Sequence, residues 1–135
     1  AGLRIGYGAF PLWLMPTLWK SKQPYNVNVA ASVAAQVSLE HTDELAKTVE
    51  LLKGERTRLM KELQKIPYLK PYPTQSNFIL CQVNGRDAAE LKAQLAQQHG
   101  VFIRYFNKPG LRDHIRISVG RPKDTDALIE ALKNL

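Results

Sequence analysis

The sequence is poor in the residue types that usually give a function away. Cys81 is the single cysteine, so an internal disulfide is impossible and a cysteine-based zinc site is not expected; a reducing compartment is the default. The histidines, His41, His99 and His114, lie far apart with no metal-ligand spacing, so surface or packing roles are expected and no metal. No apolar run approaches the roughly 20 residues of a membrane-crossing helix, so no membrane partner is expected. Internal repeats and low-complexity tracts are absent, as are a nucleophile elbow, a phosphate-cradling glycine loop and a paired-carboxylate constellation. An initiator methionine and a signal peptide are missing too. The chain opens on Leu3, Ile5 and Tyr7 alternating with Arg4, Gly6 and Gly8, a pattern that predicts a strand entered mid-stream and hence a further segment upstream.

Acidic residues are the scarcer charge, 12 against 19 basic ones, giving a formal net charge of +7. That excess could serve nucleic acid or acidic surfaces. Its distribution argues otherwise: Lys53, Arg56, Arg58, Lys61 and Lys65 fall on a predicted helix beside Glu50, Glu55 and Glu62, as on a solvated face. No zinc-finger spacing, aromatic RNA-binding signature or basic stripe accompanies them, so no nucleic-acid partner is expected.

What is present is the pattern of an α/β protein in the size range of one domain. Pro11, Pro16 and Pro24 punctuate the early segment into short helices and turns, with Trp13 and Trp19 as packing anchors. A small-residue helix is expected over 27–39 and a long one over 43–65, its apolar positions Leu45, Val49, Leu52, Leu59 and Leu63 at helical spacing and Gly54 a weak point. The proline-rich stretch 67–73 reads as a stiff extended linker. Beyond it come a strand over 78–83, a helix capped by Asp87 and closed at Gly100, a strand over 101–106, a turn at 107–110, and a strand over 114–119. A last helix, capped by Asp124 or Thr125, carries Leu128, Ile129, Leu132 and Leu135. The order is β-α-β-β-α. A crossover after the first of these strands leaves room for the third between the other two, giving a small sheet backed by two helices.

Arg4, Arg104 and Arg116 each interrupt an apolar strand pattern. A guanidinium there needs an anionic partner, and its planar fork suits phosphate or carboxylate, although a salt bridge or an edge position reaching water would also satisfy it. Cys81, inside a strand, reads as an inert core residue.

Residues 1–7, Ala-Gly-Leu-Arg-Ile-Gly-Tyr, resemble the segment just after the Schiff-base lysine in the fold-type I PLP-dependent aminotransferases. Ser76-Asn77-Phe78, Val101-Phe102-Ile103-Arg104 and residues 115–120 resemble, in order, the small-domain motifs of the histidinol-phosphate aminotransferases of that family, as does the run 23–28. The resemblance runs along essentially the whole chain and implies the C-terminal part of such an enzyme. Residues 1–40 would be the end of the large PLP-binding domain, 41–66 a linking helix and 67–135 the small domain. It implies pyridoxal 5'-phosphate as cofactor, with Arg4 on its phosphate, Arg116 on the amino donor's carboxylate and Arg104 on the phosphate of histidinol phosphate. It further implies histidinol phosphate and glutamate/2-oxoglutarate as substrates, histidine biosynthesis as the setting, and a homodimer in the complete enzyme. The compartment implied is the cytoplasm, or the plastid for a plant or algal source.

The pattern departs from the family in one respect. The Schiff-base lysine, and the aspartate that pairs the pyridine nitrogen, belong upstream of Ala1; Lys20 and Lys22 follow Arg4 and take neither place. The chain is therefore expected to contain no catalytic residue and to be inactive alone. Other enzymes of the fold, such as a threonine-phosphate decarboxylase or an aromatic aminotransferase, remain alternatives, as does a non-catalytic basic binding module.

Overall fold

Contacts divide the chain inside its longest helix, into one unit ending at Lys47 and a second running from Thr48 to Leu135. The structure, a computed structural model, describes residues 2–135; Ala1 of the opening motif lies outside the described residues.

In the first unit the expected opening strand does not form. Residues 4–10 have no regular secondary structure, and Arg4 has φ 58°, a left-handed conformation that cannot continue a strand. No described strand pairs with this segment. The proline punctuation acts as anticipated. A 3₁₀ turn at Leu12–Leu14 leads into α1, Met15–Ser21, where Pro16 occupies the first turn and its missing N–H costs nothing. Asn28 caps α2, Val29–Glu40, by accepting a 2.8 Å bond from the Ala31 amide.

The long helix α3, Thr42–Leu63, has Asp43 and Glu44 in its first turn and Lys61 in its last, which complements the helix dipole. Several basic residues on it and just past its end pair along the surface: Lys53 with Glu50 at 2.7 Å, Arg58 with Glu55 at 2.8 Å and Lys65 with Glu62 at 2.5 Å. Only its last turns enter a core. Leu59 and Leu63 are buried, whereas Leu45, Val49 and Leu51 are exposed.

The second unit is a four-stranded antiparallel sheet in the order β1-β2-β4-β3, with β1 at Leu69–Pro71, β2 at Phe78–Val83, β3 at Arg104–Tyr105 and β4 at His114–Ser118. As expected, the last strand lies between the two that flank helix α4, Ala88–His99. Alternation assigns the faces. Ile79, Cys81, Val83, Ile115 and Ile117 point one way and are buried with Leu59, Leu63, Leu91, Leu95, Leu128 and Leu132 of the helices. Burial of each large side chain is worth about 1.5–3 kcal/mol, and this single core is what holds the sheet on its helices. Asp87 caps α4 through the Glu90 amide at 2.8 Å, and Gly100 closes it in the left-handed region at φ 65°.

Three element boundaries differ from expectation. The stretch 67–73 contains β1 rather than a free linker, because Leu69 and Pro71 find partners in Val83 and Cys81 and an edge strand tolerates a proline. The strand expected over 101–106 shrinks to Arg104–Tyr105, since the Val101 amide turns back to the Leu95 carbonyl at 3.0 Å to finish α4. The last helix, α5, Pro122–Lys133, starts ahead of Asp124. Pro122 takes its first position, and Asp124 reaches back to accept from the Arg121 amide at 2.9 Å, so the expected cap residue works from inside the helix.

Candidate functional site

The face of the sheet turned away from the helices carries the chemistry. Alternation places Phe78, Leu80 and Gln82 of β2, His114, Arg116 and Ser118 of β4, and Arg104 of β3 on this side. Arg104 and Arg116 stand directly opposite each other across the β3–β4 pair, and Leu80 flanks Arg116 on the other side. Like charges in register destabilise a sheet unless something offsets them. Among the described residues neither guanidinium has a carboxylate partner, and the Arg116 Nε is buried without an acceptor. Aromatic rings take that place. The Arg116 guanidinium lies 5.0 Å from the Phe78 ring centre and 5.8 Å from that of Phe106, and Arg104 lies 5.5 Å from the same Phe106 ring. Two permanent cations without a carboxylate partner among the described residues, side by side on this face, make a candidate anion site.

Beside them runs a chain of polar contacts that the sequence did not signal. His114, read only as a surface or packing residue, is buried; its Nδ1 is 2.6 Å from Asp113 Oδ1 and its Nε2 is 3.2 Å from the Tyr72 hydroxyl. The Tyr72 and His114 rings also stack, 5.6 Å between centres. Gln82 donates to the other oxygen of Asp113 at 2.7 Å, and this bond, with that of His114, holds the Asp113 carboxyl below the usual range despite some desolvation. Asp113 thus has Gln82 and His114 as its side-chain partners and pairs with neither arginine. Cys81 faces the core, where burial pushes its thiol up to about 12, consistent with the inert role read from its position.

Of the three arginines singled out in the sequence, the structure thus brings Arg104 and Arg116 together within one unit, while Arg4 is described in the other. Arg4 is exposed, on left-handed backbone between Gly2 and Gly6. A Cβ at either glycine would meet nothing within 4 Å, so the backbone beside Arg4 is open to approach. A permanent cation on open, glycine-flanked chain suits the phosphate end of pyridoxal phosphate. Of the lysines nearest in sequence, Lys20 lies in the last turn of α1, and Lys22, just beyond that helix, rests 4.9 Å over the Trp19 ring. Among the described residues no group of His, Cys, Asp or Glu could hold a metal, and no helix is long and apolar enough to cross a membrane.

The chain is 49% identical over 134 residues to histidinol-phosphate aminotransferase 1, chloroplastic, of Arabidopsis thaliana, covering 98% of this chain and 32% of that protein. Its fold matches the crystal structure of the histidinol-phosphate aminotransferase from Clostridium acetobutylicum with a TM-score of 0.78 at 26% identity, over 90% of this chain and 37% of that one. It also matches L-threonine-O-3-phosphate decarboxylase from Porphyromonas gingivalis with a TM-score of 0.83 at 27% identity, over 98% of this chain and 42% of that one. The chain spans about a third of the length of the curated relatives it matches. The family model for aminotransferase class I and II covers residues 1–132, and the chain belongs to that pyridoxal-phosphate-dependent family.

Proposed function

We propose that this chain is the substrate-gripping portion of a PLP-dependent aminotransferase that exchanges an amino group between histidinol phosphate and 2-oxoglutarate. The observation that carries the reading is the opposed pair Arg104 and Arg116, two cations with no carboxylate between them. The name of the Arabidopsis relative, at 49% identity, supports the choice of substrate.

On this reading residues 1–40 belong to the cofactor-binding domain, 41–66 link it onward, and 67–135 form the small domain. Arg4 holds the cofactor phosphate. When bound, the cofactor supplies the electron sink for amino-group exchange. Arg116 clamps the carboxylate of glutamate with its planar fork, which fixes the donor's orientation. Arg104 meets the phosphate of histidinol phosphate, a substrate without a carboxylate. The complete enzyme acts as a homodimer, in the cytoplasm or, in a plant or alga, the plastid. The family's Schiff-base lysine and ring-nitrogen aspartate precede the Gly-Leu-Arg motif, so this chain alone is inactive.

The likeness to the threonine-phosphate decarboxylase favours a second reading, in which one substrate carries both a phosphate and a carboxylate. Single-turnover measurement of the two half-reactions in the complete enzyme separates them. Arg116→Ala is expected to impair the glutamate half-reaction severely, and Arg104→Ala to weaken histidinol phosphate more than glutamate. Charged hydrogen bonds are worth about 1.5–3 kcal/mol, so kcat/KM should fall by about one to two orders of magnitude. Lysine replacements should rescue only in part, since a point charge lacks the fork. Equal losses in both half-reactions for Arg104→Ala would return the substrate assignment to the other enzymes of the fold.

A further inference from the structure

We infer that Phe106 is a positioning residue for the anion site, a shared aromatic surface that holds both guanidiniums while leaving their hydrogen-bonding edges to the ligand. The inference rests on the function proposed above and concerns how the site is built.

An arginine can be fixed in two ways. A carboxylate partner fixes it through its N–H edge and uses the donors that a ligand would need. An aromatic ring fixes it through its flat face and uses none. This site takes the second course. Phe106 follows β3 directly, and continuation of the register places it beside His114, on the face that bears both arginines. Its ring centre lies 5.5 Å from the Arg104 guanidinium and 5.8 Å from that of Arg116, so one ring serves two cations. Phe78 holds the other side of Arg116 at 5.0 Å. Neither arginine is paired with a carboxylate among the described residues, and Asp113, an acid flanking β4, is bound by Gln82 and His114. Cross-strand repulsion would otherwise drive the two long side chains apart into solvent. With one ring beside both, the two stay over the sheet, and an anionic ligand meets preset forks rather than ordering them as it binds.

Phe78 belongs to β2 and touches Arg116 alone, whereas Phe106 couples the pair. Loss of Phe106 should therefore reach both arginines together, and the effect should depend on both being present.

The experiment uses the complete holoenzyme, its cofactor site filled, with inorganic phosphate as the probe, titrated calorimetrically and as an inhibitor. Phe106→Leu is expected to weaken phosphate by about five- to twentyfold and to raise KM for histidinol phosphate in parallel, with kcat changed less than about twofold. Phe106→Tyr, which keeps the ring, should stay within about twofold of wild type. In an Arg104→Gln background the penalty of Phe106→Leu should shrink by at least about half, the signature of a shared contact. Equal penalties in both backgrounds, or unchanged phosphate affinity in Phe106→Leu with the fold intact by circular dichroism, would overturn the inference and leave the proposed reaction standing. Enzyme that binds phosphate through Phe106 but does not turn over histidinol phosphate would sustain the inference and remove the proposed substrate.

Discussion

Glu55 ties two helices together through one arginine. Its carboxylate accepts from Arg58 Nη2 at 2.8 Å and from Nε at 3.1 Å, while the same guanidinium reaches Asp126 at 2.7 Å and the Pro122 carbonyl at 2.7 Å on α5. The Glu55 side chain is only 11% exposed, so its charge is sheltered, although Arg58 at 39% remains open to screening. The Arg58 hydrogen bonds, set against desolvation, hold the Glu55 carboxyl below its ordinary range. A folded-state value below the unfolded one means stability that is present above the ordinary glutamate range and is lost as pH falls through the lowered folded value. Glu55→Gln should therefore lower Tm near pH 7, and the gap to wild type should close as pH approaches about 3. Thermal unfolding of both proteins across that range checks it. A gap that does not change with pH would assign the loss to packing.

At the level of elements, two glycines offer opposite tests of the same physics. Gly100 and Gly54 both have open space where a Cβ would stand, so neither is required for room. They differ in backbone. Gly100 closes α4 at φ 65°, whereas Gly54 sits in the interior of α3. Gly100→Ala forces a side chain into the left-handed region and should destabilise the protein by about 1–2 kcal/mol. Gly54→Ala removes unfolded-state freedom within a helix and should stabilise it by about 0.5–1 kcal/mol. Urea unfolding reads both; a destabilising Gly54→Ala would show that α3 is strained there. The same distinction explains why the boundaries of α4 were legible in the sequence and the start of α5 was not. Asp87 and Gly100 act at the positions their residue types favour, while Asp124 caps from inside the helix and Pro122 marks the true start.

For the whole molecule, the contrast is between a unit with a core and one without. Ala31 is the only described residue before Thr48 that is buried, and Leu12, Trp13, Tyr25 and Val29 are largely exposed; the sheet and its helices hold the remaining buried apolar residues. The candidate residues are divided as well, with Arg4 in the first unit and the arginine pair in the second. The chain by itself should show no aminotransferase turnover and should not bind pyridoxal phosphate covalently at a single defined lysine. Incubation with the cofactor, borohydride reduction and peptide mapping test this directly. One stoichiometric pyridoxyl-lysine in this chain, accompanied by turnover, would overturn it.

The sequence by itself determined much of what depends on neighbours a few residues apart, though the alternation at Leu3, Ile5 and Tyr7 formed no strand. Caps, helix periodicity and the alternation of Ile115 and Ile117 against Arg116 set the elements and their buried faces, and the crossover argument placed the last strand between its two partners. Tertiary structure decided what depends on distant neighbours. Whether the stretch 67–73 is linker or strand rests on β2 lying beside it, since a proline-rich extended segment has the same local geometry in either case. The opposition of Arg104 to Arg116 is set by the register of β3 on β4, and a slip of one residue would turn one arginine into the core. Phe78 lies in β2 and Phe106 just beyond β3, and they reach the same guanidinium only because the sheet gathers them. Long-range hydrogen bonding and burial select that register, and no short-range signal in the chain encodes it.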